Sequence, residues 1–322
     1  MTDIKYSVII PVYNRPDEVS ELLESLSRQT RTDFEVIIVE DGSSVRCDHV
    51  AEKYKPYVRL TYYFKKNEGP GPARNFGYAL ASGKYLVCFD SDCVIPPKYF
   101  DAVDQALQVQ HLDAWGGADR AHENFTWLQR ATGYTMSSFF TTGGIRGGRK
   151  RIGWFQPRSF NMGISREVYQ KLGGFRFSRY AEDIEFSIRM KQAGFRTGLV
   201  EQAFVYHKRR TNFIQFFRQV FNFGRGRVLV GREYPGEIKL THWFPLAFTG
   251  ALPMLLLLFF ISPTLFVTGA ILLGLYLALI FVDALIVNRH LVVALLAVPS
   301  AIVQLTGYGL GFLKEKLKSY PS

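Results

Sequence analysis

The stretch KYLVCFDSD, residues Lys84–Asp92, is an apolar run that ends in two carboxylates separated by one residue. Such a run predicts a buried strand, and open α/β sheets bind their ligands at the carboxyl ends of strands. Residues i and i+2 of an extended chain point the same way, so Asp90 and Asp92 can converge on one cation or on one ribose-and-metal site. Taken alone, the pattern is also that of a strand ending in a solvated acidic turn.

Strand and helix patterns alternate over the first 200 residues around this stretch. Buried strands are predicted over 6–12, 34–39, 58–64 and 85–89, helices over 17–29 and 72–81, and a further strand over 199–205. Continuous apolar strands separated by helices are typical of a mostly parallel sheet that is covered on both faces. The predicted fold class is therefore α/β with a Rossmann-like, mostly parallel sheet.

The last 80 residues are far more apolar than the rest of the 322-residue chain. The 40 residues Trp243–Val282 contain no charged side chain, which is enough for two bilayer-spanning helices of roughly 20 residues each, folded back at Ser262–Pro263. The uncharged run Leu291–Leu313 is a third candidate. Buried core helices are the alternative interpretation, but the length of these runs favours an α-helical transmembrane tail.

The number of spans is left open by the charges. Three full spans would place Lys314, Lys316 and Lys318 outside the cell, against the positive-inside rule. Two spans plus an interfacial or re-entrant third segment would keep them inside, and Pro299 and the glycines of that segment make a break in it plausible. The chain starts without a signal-peptide pattern, so we expect a cytoplasmic N-terminal part and a multi-pass protein of the inner membrane.

Basic residues concentrate just before the first apolar run. The chain has a net charge of +11, and residues 207–240 contain eight Lys and Arg against two Glu, a local balance of +6. Five apolar residues recur there at helical spacing: Phe213, Phe216, Phe217, Val220 and Phe221. They predict an amphipathic helix that lies in the membrane interface or packs on the soluble domain. No nucleic-acid-binding motif accompanies the basic residues, so we expect no nucleic-acid partner.

Five motifs in a fixed order resemble those of family 2 glycosyltransferases with the GT-A fold, in particular the membrane-anchored bacterial members. They are VIIPVYN at 8–14, EDGS at 40–43, GPARN at 71–75, DSD at 90–92 and EDIE at 182–185. The expected organisation is a GT-A domain over 1–206, a basic amphipathic helix and linker over 207–242, the hydrophobic segments over 243–313 and a basic tail over 314–322.

The resemblance implies a site for a nucleotide-diphosphate sugar. The residues expected to bind this donor are Pro11, Tyr13, Asn14, Asp41, Arg74 and Asp90. Each has a structural alternative: a strand-to-helix turn for the first three, a turn at Asp41-Gly42, and an exposed helix arginine for Arg74. Glu40 departs from the family, which more often has a second Asp there.

The resemblance also implies a divalent cation, Mg²⁺ or Mn²⁺, which would neutralise the departing diphosphate. Asp92 is expected to be its ligand, with His207 as a second candidate. A histidine beside a basic cluster is more often a surface or capping residue. The three cysteines show no metal-ligand or disulfide spacing, and we expect them to be structural.

Asp183 is the predicted catalytic base, because inverting transfer needs a carboxylate within reach of the acceptor hydroxyl. The same segment also reads as a helix start, where acidic residues are favoured. Glu182, Trp154 and Asn161 are expected on the acceptor side. The glycine-rich basic stretch 143–151 is either a phosphate contact or a solvated surface loop.

The function expected from these features is the transfer of one sugar to a lipid-linked or glycan acceptor at the cytoplasmic membrane face, in cell-surface polysaccharide or glycoconjugate synthesis. A processive synthase is the alternative enzyme, but Gln215-Phe216-Phe217-Arg218 is followed by Gln219, where processive members carry Trp. A non-catalytic nucleotide-sugar-binding scaffold is the alternative outside enzymes. A nucleotidyltransferase would need a glycine-rich basic signature near residue 11, which the sequence lacks.

Overall fold

The computed structural model describes residues 4–120, 125–143, 154–208 and 210–319. These residues form two compact units. The first contains the described parts of 1–122 and 154–208, and the second contains those of 123–153 and 209–322. The glycine-rich stretch predicted as a phosphate contact falls at 144–151, outside the described residues. The domain boundary expected at residue 206 stays a prediction, although residues 125–143 belong to the second unit.

The strands of the described chain are β1 Tyr6–Val12, β2 Phe34–Asp41, β3 Leu60–Lys65, β4 Tyr85–Phe89, β5 Cys93–Val94, β6 Ala114–Gly116, β7 Asp119–Arg120, β8 Asn161–Ser165, β9 Thr197–Leu199 and β10 Val205–His207. The helices are α1 Pro16–Ser27, α2 Asp48–Tyr54, α3 Pro70–Leu80, α4 Tyr99–Gln110, α5 Trp127–Thr135, α6 Phe139–Thr142, α7 Arg166–Leu172, α8 Glu182–Gln192, α9 Phe213–Glu233, α10 Phe244–Ile261, α11 Pro263–Asn288 and α12 Leu291–Leu317. Short 3₁₀ turns occupy Pro235–Glu237 and Leu240–His242.

The first unit is built on a seven-stranded sheet of order β3-β2-β1-β4-β8-β6-β9. Strands β1 to β4 are parallel, and β8 is antiparallel to both of its neighbours. Val8 and Ile10 of β1 point into one apolar cluster and Ile9 into another, so each face of the strand is buried. This explains the continuous apolar pattern of the strand, and the predicted mostly parallel sheet is confirmed.

Helix α3 lies close against β1 because it presents a glycine there. A methyl group on Gly77 would come within 2.5 Å of the side chain of Ile9. The helix starts at Gly69, whose φ of +107° favours glycine, and Pro70 occupies its first position. The GPARN motif therefore begins a helix whose first turn faces the carboxyl edge of the sheet.

A second, three-stranded sheet has the order β5-β10-β7. The strand predicted over 199–205 is wrong: β9 ends at Leu199, β10 begins at Val205, and the residues between them form a turn. The apolar pattern there has a different cause, because Val200 and Ala203 are buried in the core without being paired in a sheet.

The second unit contains, among its described residues, three helices that are long and apolar enough to cross a membrane: Leu240–Ile261, Pro263–Asn288 and Leu291–Leu317. The predicted fold at Ser262–Pro263 is confirmed. The third segment is one helix, since α12 continues through Pro299, so the alternative of a segment broken there is not observed. The Ser300 hydroxyl donates to the Leu296 carbonyl beside that proline, and the glycines beyond it lie against other helices.

The basic amphipathic helix predicted near residue 213 is α9. Its apolar face is covered by other residues, because Phe216 and Val220 are buried. A methyl group on Gly307 of α12 would come within 2.6 Å of Val220, and the two helices are in contact along much of their length. The apolar face of α9 therefore packs on the third hydrophobic helix, a partner that the sequence pattern did not indicate.

Candidate active site

Asp92 lies just beyond the carboxyl end of β4 and is 6% exposed. The pairing of β5 with β10 sets His207 opposite Cys93, which brings Nε2 of His207 to 3.0 Å from Oδ1 of Asp92. Arg15, from the loop after β1, donates to Oδ2 of Asp92 over 2.7 Å. A short strand pair thus joins two residues that are more than a hundred positions apart in the sequence.

The Asp92 and His207 side chains fit a divalent cation. Two ligand atoms that each lie about 2.1 Å from an ion, at right angles, are about 3 Å apart, which matches the separation of Oδ1 and Nε2. The His207 ring stacks on Phe160 with 4.8 Å between centroids, which fixes its orientation. An oxygen and an imidazole nitrogen suit Mn²⁺ better than Mg²⁺, because Mg²⁺ strongly prefers oxygen ligands.

Cys93 lies in the same cluster, and its sulfur is within 4.8 Å of the ligand atoms of Asp92 and His207. Burial, together with the negative charges of Asp92 and Asp90, raises the pKa of the Cys93 thiol well above its usual range. Its S–H group contacts the Phe160 carbonyl over 3.5 Å. Mg²⁺ and Mn²⁺ prefer oxygen ligands to sulfur, whereas thiolates select softer metals, so the carboxylate and the imidazole are the better ligands here.

Asp90 belongs to a second cluster, which is centred on Arg74 of α3. The Arg74 guanidinium donates from Nη2 to Asp90 over 2.7 Å and from Nη1 to Glu182 over 2.8 Å. Arg74 is only 3% exposed, whereas the Asp90 side chain is 32% exposed. Burial alone would lower the pKa of Arg74, but the two carboxylates outweigh it and raise that pKa. The exposed-helix alternative for Arg74 is therefore wrong.

Glu182 is the buried end of this ion-pair chain. Burial raises the pKa of its carboxyl, and the positive charge of Arg74 only partly opposes that rise. Arg74 reaches Glu182 because the segment 174–179 is held against α3. The Asn75 side chain forms two hydrogen bonds with the Phe175 backbone, of 2.7 and 2.8 Å, and Gly71 N–H donates to the Ser178 carbonyl over 3.0 Å.

Gly71 permits this close approach, because a methyl group there would lie 2.2 Å from the Phe177 carbonyl oxygen. The GPARN motif therefore has two structural tasks. Its glycine and asparagine hold the segment that precedes α8, and its arginine pairs with the first residue of that helix. In this way α3 determines where α8 begins.

Asp183 follows Glu182 in the first turn of α8. The helix is preceded by Ala181 in the left-handed conformation, with a φ of +57°. This conformation costs a residue with a Cβ about 1–2 kcal/mol. Asp183 lies in the first turn of α8 with Glu182 and Glu185, so the helix-start interpretation of this segment is confirmed. Its Oδ2 atom is 3.7 Å from Nη1 of Arg158, and both side chains are about one-fifth exposed.

Comparisons with known proteins are consistent with this geometry. The sequence model described as Glycosyl transferase family 2 matches residues 7–173, more than half of the chain. This chain belongs to glycosyl transferase family 2. The expected family resemblance and the GT-A fold are thereby confirmed.

Two relatives show how much of the chain is similar to other glycosyltransferases. An uncharacterized glycosyltransferase of Rickettsia bellii (strain RML369-C) is 46% identical over 92 residues, which are 29% of this chain and 13% of that protein. The uncharacterized glycosyltransferase YibD of Escherichia coli (strain K12) is 36% identical over 140 residues, 42% of this chain and 38% of that protein. The chain therefore spans less than half of the length of these relatives.

A solved structure is similar over nearly the whole chain. The mannosyltransferase PcManGT from Pyrobaculum calidifontis, in complex with GDP-Man and Mn²⁺, superposes with a TM-score of 0.61 at 19% identity. The match covers 94% of this chain and 87% of that protein. At this identity the likeness shows the fold alone.

The remaining residues that were predicted to bind the donor lie at the carboxyl ends of β1 and β2 or in the loop after β1. The side-chain oxygen of Asn14, a residue with a φ of +54°, accepts hydrogen bonds from the backbone of Ser44 and Val45. Tyr13 is 54% exposed and Pro11 is half-buried. The turn interpretation of this segment is thus structurally correct, and it leaves the Tyr13 ring accessible to a ligand.

Asp41 is largely engaged within the protein. Its two carboxylate oxygens accept from the backbone N–H groups of Glu68 and Gly69, over 2.9 and 2.8 Å, and Lys65 lies 3.1 Å away. The side chain is buried. Asp41 therefore fixes the loop that leads into α3, and a contact with the nucleobase stays a prediction for this position.

The acceptor-side predictions fall in different environments. Trp154 is half-buried, and the Lys191 ammonium lies 5.2 Å from its ring centroid. Asn161 is fully buried: its amide donates to the Ala203 carbonyl over 2.8 Å and its oxygen accepts from Tyr99 over 2.6 Å. The Asn161 side chain therefore does not face an acceptor, and it ties β8 to the turn before β10.

Two arginines of the site were missed by reasoning from the sequence. Arg15 contacts Asp92 and Arg158 contacts Asp183, and both lie in segments without regular pattern. Only their positions in the sequence could have indicated these two arginines. Arg15 directly follows the VIIPVYN motif, and Arg158 lies three residues before β8. Neither feature identifies which carboxylate the arginine will reach.

Proposed function

We propose that this chain is an inverting, metal-dependent glycosyltransferase that moves one sugar from a nucleotide-diphosphate sugar to a lipid-linked or glycan acceptor. The observation that carries this proposal is the chain of ion pairs from Asp90 through Arg74 to Glu182, which adjoins Asp183. It joins the proposed donor side and the proposed catalytic base in one unit. The family membership supports the same reaction class.

The donor site is proposed at the carboxyl edge of the sheet. Asp90, with one-third of its side chain exposed, would accept hydrogen bonds from the ribose, and the exposed Tyr13 would cover the nucleobase. Asp92 and His207 would hold Mn²⁺ or Mg²⁺. When bound, this cation would neutralise charge on the diphosphate. A similar fold in PcManGT carries GDP-Man and Mn²⁺, which supports the donor class and the metal.

The base step needs a single carboxylate. The acceptor hydroxyl oxygen attacks the anomeric carbon, the bond from that carbon to the diphosphate oxygen breaks, and its electron pair leaves with the nucleoside diphosphate. Asp183 takes the proton of the hydroxyl. Because the hydroxyl attacks from the face opposite the departing diphosphate, the configuration at the anomeric carbon inverts. Arg158, 3.7 Å away, would pair with the Asp183 carboxylate before the proton arrives.

Membrane attachment is proposed through α10 and α11, which expose apolar side chains over most of their length. The basic residues that precede them favour a cytoplasmic position for the first unit. This arrangement suits an acceptor that is itself held in the membrane. A role in cell-surface polysaccharide or glycoconjugate synthesis follows as the proposed context.

The test is a donor screen with the full chain purified in lipid nanodiscs. UDP- and GDP-sugars are offered with Mn²⁺, Mg²⁺ or EDTA, with membrane lipid extract as acceptor, and nucleoside diphosphate release is followed. We expect release from one donor class, lost with EDTA and restored by Mn²⁺. Absence of release and of donor binding across the panel would contradict the proposal. Donor binding without release in any lipid extract would favour a non-catalytic scaffold.

A further inference from the structure

Helix α12 has a buried side and, towards both of its ends, an exposed side. Ala294, Ala297 and Ala301 are buried against Tyr134 of α5 and the end of α11. The opposite side exposes an apolar stripe at helical spacing, 37–74% exposed, made of Leu291, Val292, Leu295, Leu310, Leu313 and Leu317. A helix that is buried on one side and uniformly apolar on the other needs a partner for its second side.

The C-terminal half of α12 runs beside the polar helix α9. Gly307 lies against Phe217, Gly311 lies against Phe221, and Arg225 pairs with the buried Glu315 over 2.7 Å. Each contact advances by four residues on both helices, so the two helices run parallel. This contact extends over about 12 Å of each helix axis.

Helix α9 is a poor candidate for the bilayer core because it carries four arginines: Arg218, Arg225, Arg227 and Arg232. A charged side chain at the bilayer centre costs at least about 2.5–3.5 kcal/mol. If α12 crossed the membrane, it would carry part of α9 into the hydrocarbon. The contact between the two helices therefore opposes a third span.

Among the described residues, the contacts that can be named between the hairpin and α12 lie at the start of α10 and in the second half of α11. At the start of α10, Trp243 packs on Phe312 with 5.0 Å between centroids, and the Thr249 hydroxyl lies 3.3 Å from the Leu305 carbonyl. At the end of α11, Ile280 and Ala284 pack on the N-terminal half of α12. The two ends of the hairpin thus contact different halves of α12.

The tip of the hairpin stands clear of this base, since Phe260 and Ile261 are more than 70% exposed. A third span would accompany α10 and α11 from base to tip. A helix whose contacts lie at the start of α10 and towards the end of α11 runs across the base of the hairpin instead.

We propose that α12 lies in the plane of the membrane interface, with its apolar stripe among the acyl chains just below the headgroups. The exposed Lys314, Lys316 and Lys318 at its end would face anionic headgroups. Only the α10–α11 hairpin then crosses, and the C-terminus returns to the side of the bilayer that holds the first unit. This inference rests on the proposed membrane-bound glycosyltransferase.

The first test measures depth. Spin labels are attached to Leu295→Cys, Leu310→Cys and Leu317→Cys in nanodiscs of phosphatidylcholine with one-quarter phosphatidylglycerol, since the three native cysteines are buried. We expect all three labels about 5–10 Å below the headgroups, with Leu272→Cys on α11 as the deep control.

A spanning helix would separate residues 295 and 317 by about 33 Å along its axis, and that result would overturn the proposal. Labels that are shielded from oxygen and show spin–spin coupling would also overturn the proposal. That result would indicate that a second copy of the chain covers the apolar stripe.

The second test compares sides. A membrane-impermeant maleimide is applied to intact and to lysed cells that carry Glu201→Cys in the first unit, Ser262→Cys at the hairpin tip or Ser319→Cys at the C-terminus. We expect positions 201 and 319 to react under the same condition and position 262 under the opposite one. Labelling of 319 together with 262 would overturn the in-plane helix. If 201 and 319 react together from outside, the inference holds and the proposed cytoplasmic orientation fails.

Discussion

Asp90 and Asp92 are two residues apart, yet they lie in different electrostatic surroundings. Asp90 pairs with a buried, permanently charged guanidinium that also holds Glu182. Asp92 contacts a histidine and the partly exposed Arg15. A permanent buried cation suits a fixed structural link, whereas an imidazole beside a carboxylate suits an exchangeable ion. The comparison teaches that one motif supplies both a rigid support and the proposed metal position.

Removing the buried cation should have the largest effect on stability. Arg74→Met leaves Asp90 and Glu182 without compensation, and breaking such a buried pair costs about 3–5 kcal/mol. Arg15→Met, at a partly exposed pair, should cost about 1 kcal/mol or less. Denaturant unfolding of both variants in detergent measures the difference. Equal losses would show that the two clusters are energetically alike.

Asp92→Asn should leave the fold intact and remove metal-dependent turnover. Charge stabilisation by a metal is worth several kcal/mol, so we expect kcat/KM to fall by about 10³-fold at 1.4 kcal/mol per factor of ten. Turnover is measured against Mn²⁺ concentration, with the exposed Asp17→Asn as the control. Full activity of the Asp92 variant would place the cation elsewhere.

His207→Gln should weaken metal binding without abolishing turnover, because Asp92 and the donor phosphates would still hold the ion. We expect the Mn²⁺ concentration for half-maximal activity to rise about 10–100-fold, the range for losing a supporting group at a metal site. The exposed His49→Gln is the matched control. An unchanged Mn²⁺ dependence would reduce His207 to a packing residue on Phe160.

The smallest effect is expected at Ala181, and it has the opposite sign. Glycine adopts a φ of +57° without a Cβ clash, so Ala181→Gly should stabilise the chain by about 0.5–1 kcal/mol while loosening the start of α8. Turnover should fall although stability rises, as expected where strain positions a functional residue. Ala193→Gly, at the ordinary end of the same helix, should only destabilise. A rise in turnover for Ala181→Gly would show that the strained conformation of Ala181 does not position the functional residue.

Much of this arrangement could be predicted from the sequence because it is local. The parallel strands follow from apolar runs, and Asp90, Asp92 and Asp183 were selected by motif order. The hairpin at Ser262–Pro263 follows from the absence of charge. These features depend on residues that are close together in the chain.

The contacts between distant segments could not be predicted in this way. Arg74 was expected to face the nucleotide, but its partners come from β4 and α8, and no pattern in the sequence specifies that pairing. Asn161 was expected on the acceptor side because its segment resembles the acceptor-side segment of the family, yet its two hydrogen bonds are internal. The strand expected over 199–205 failed because burial in a turn gives the same apolar signal as a strand.

The most direct test of the account is the rate of sugar transfer by Asp183→Asn, measured beside the exposed Glu201→Gln under saturating donor and Mn²⁺. The variant keeps the size of the side chain and removes only its capacity to take a proton. We predict that kcat falls by about 10²–10⁴-fold, with unchanged donor binding and unchanged Mn²⁺ dependence. A kcat within a factor of two of the unmodified protein would contradict the assignment of Asp183 as the base, and with it the proposed mechanism.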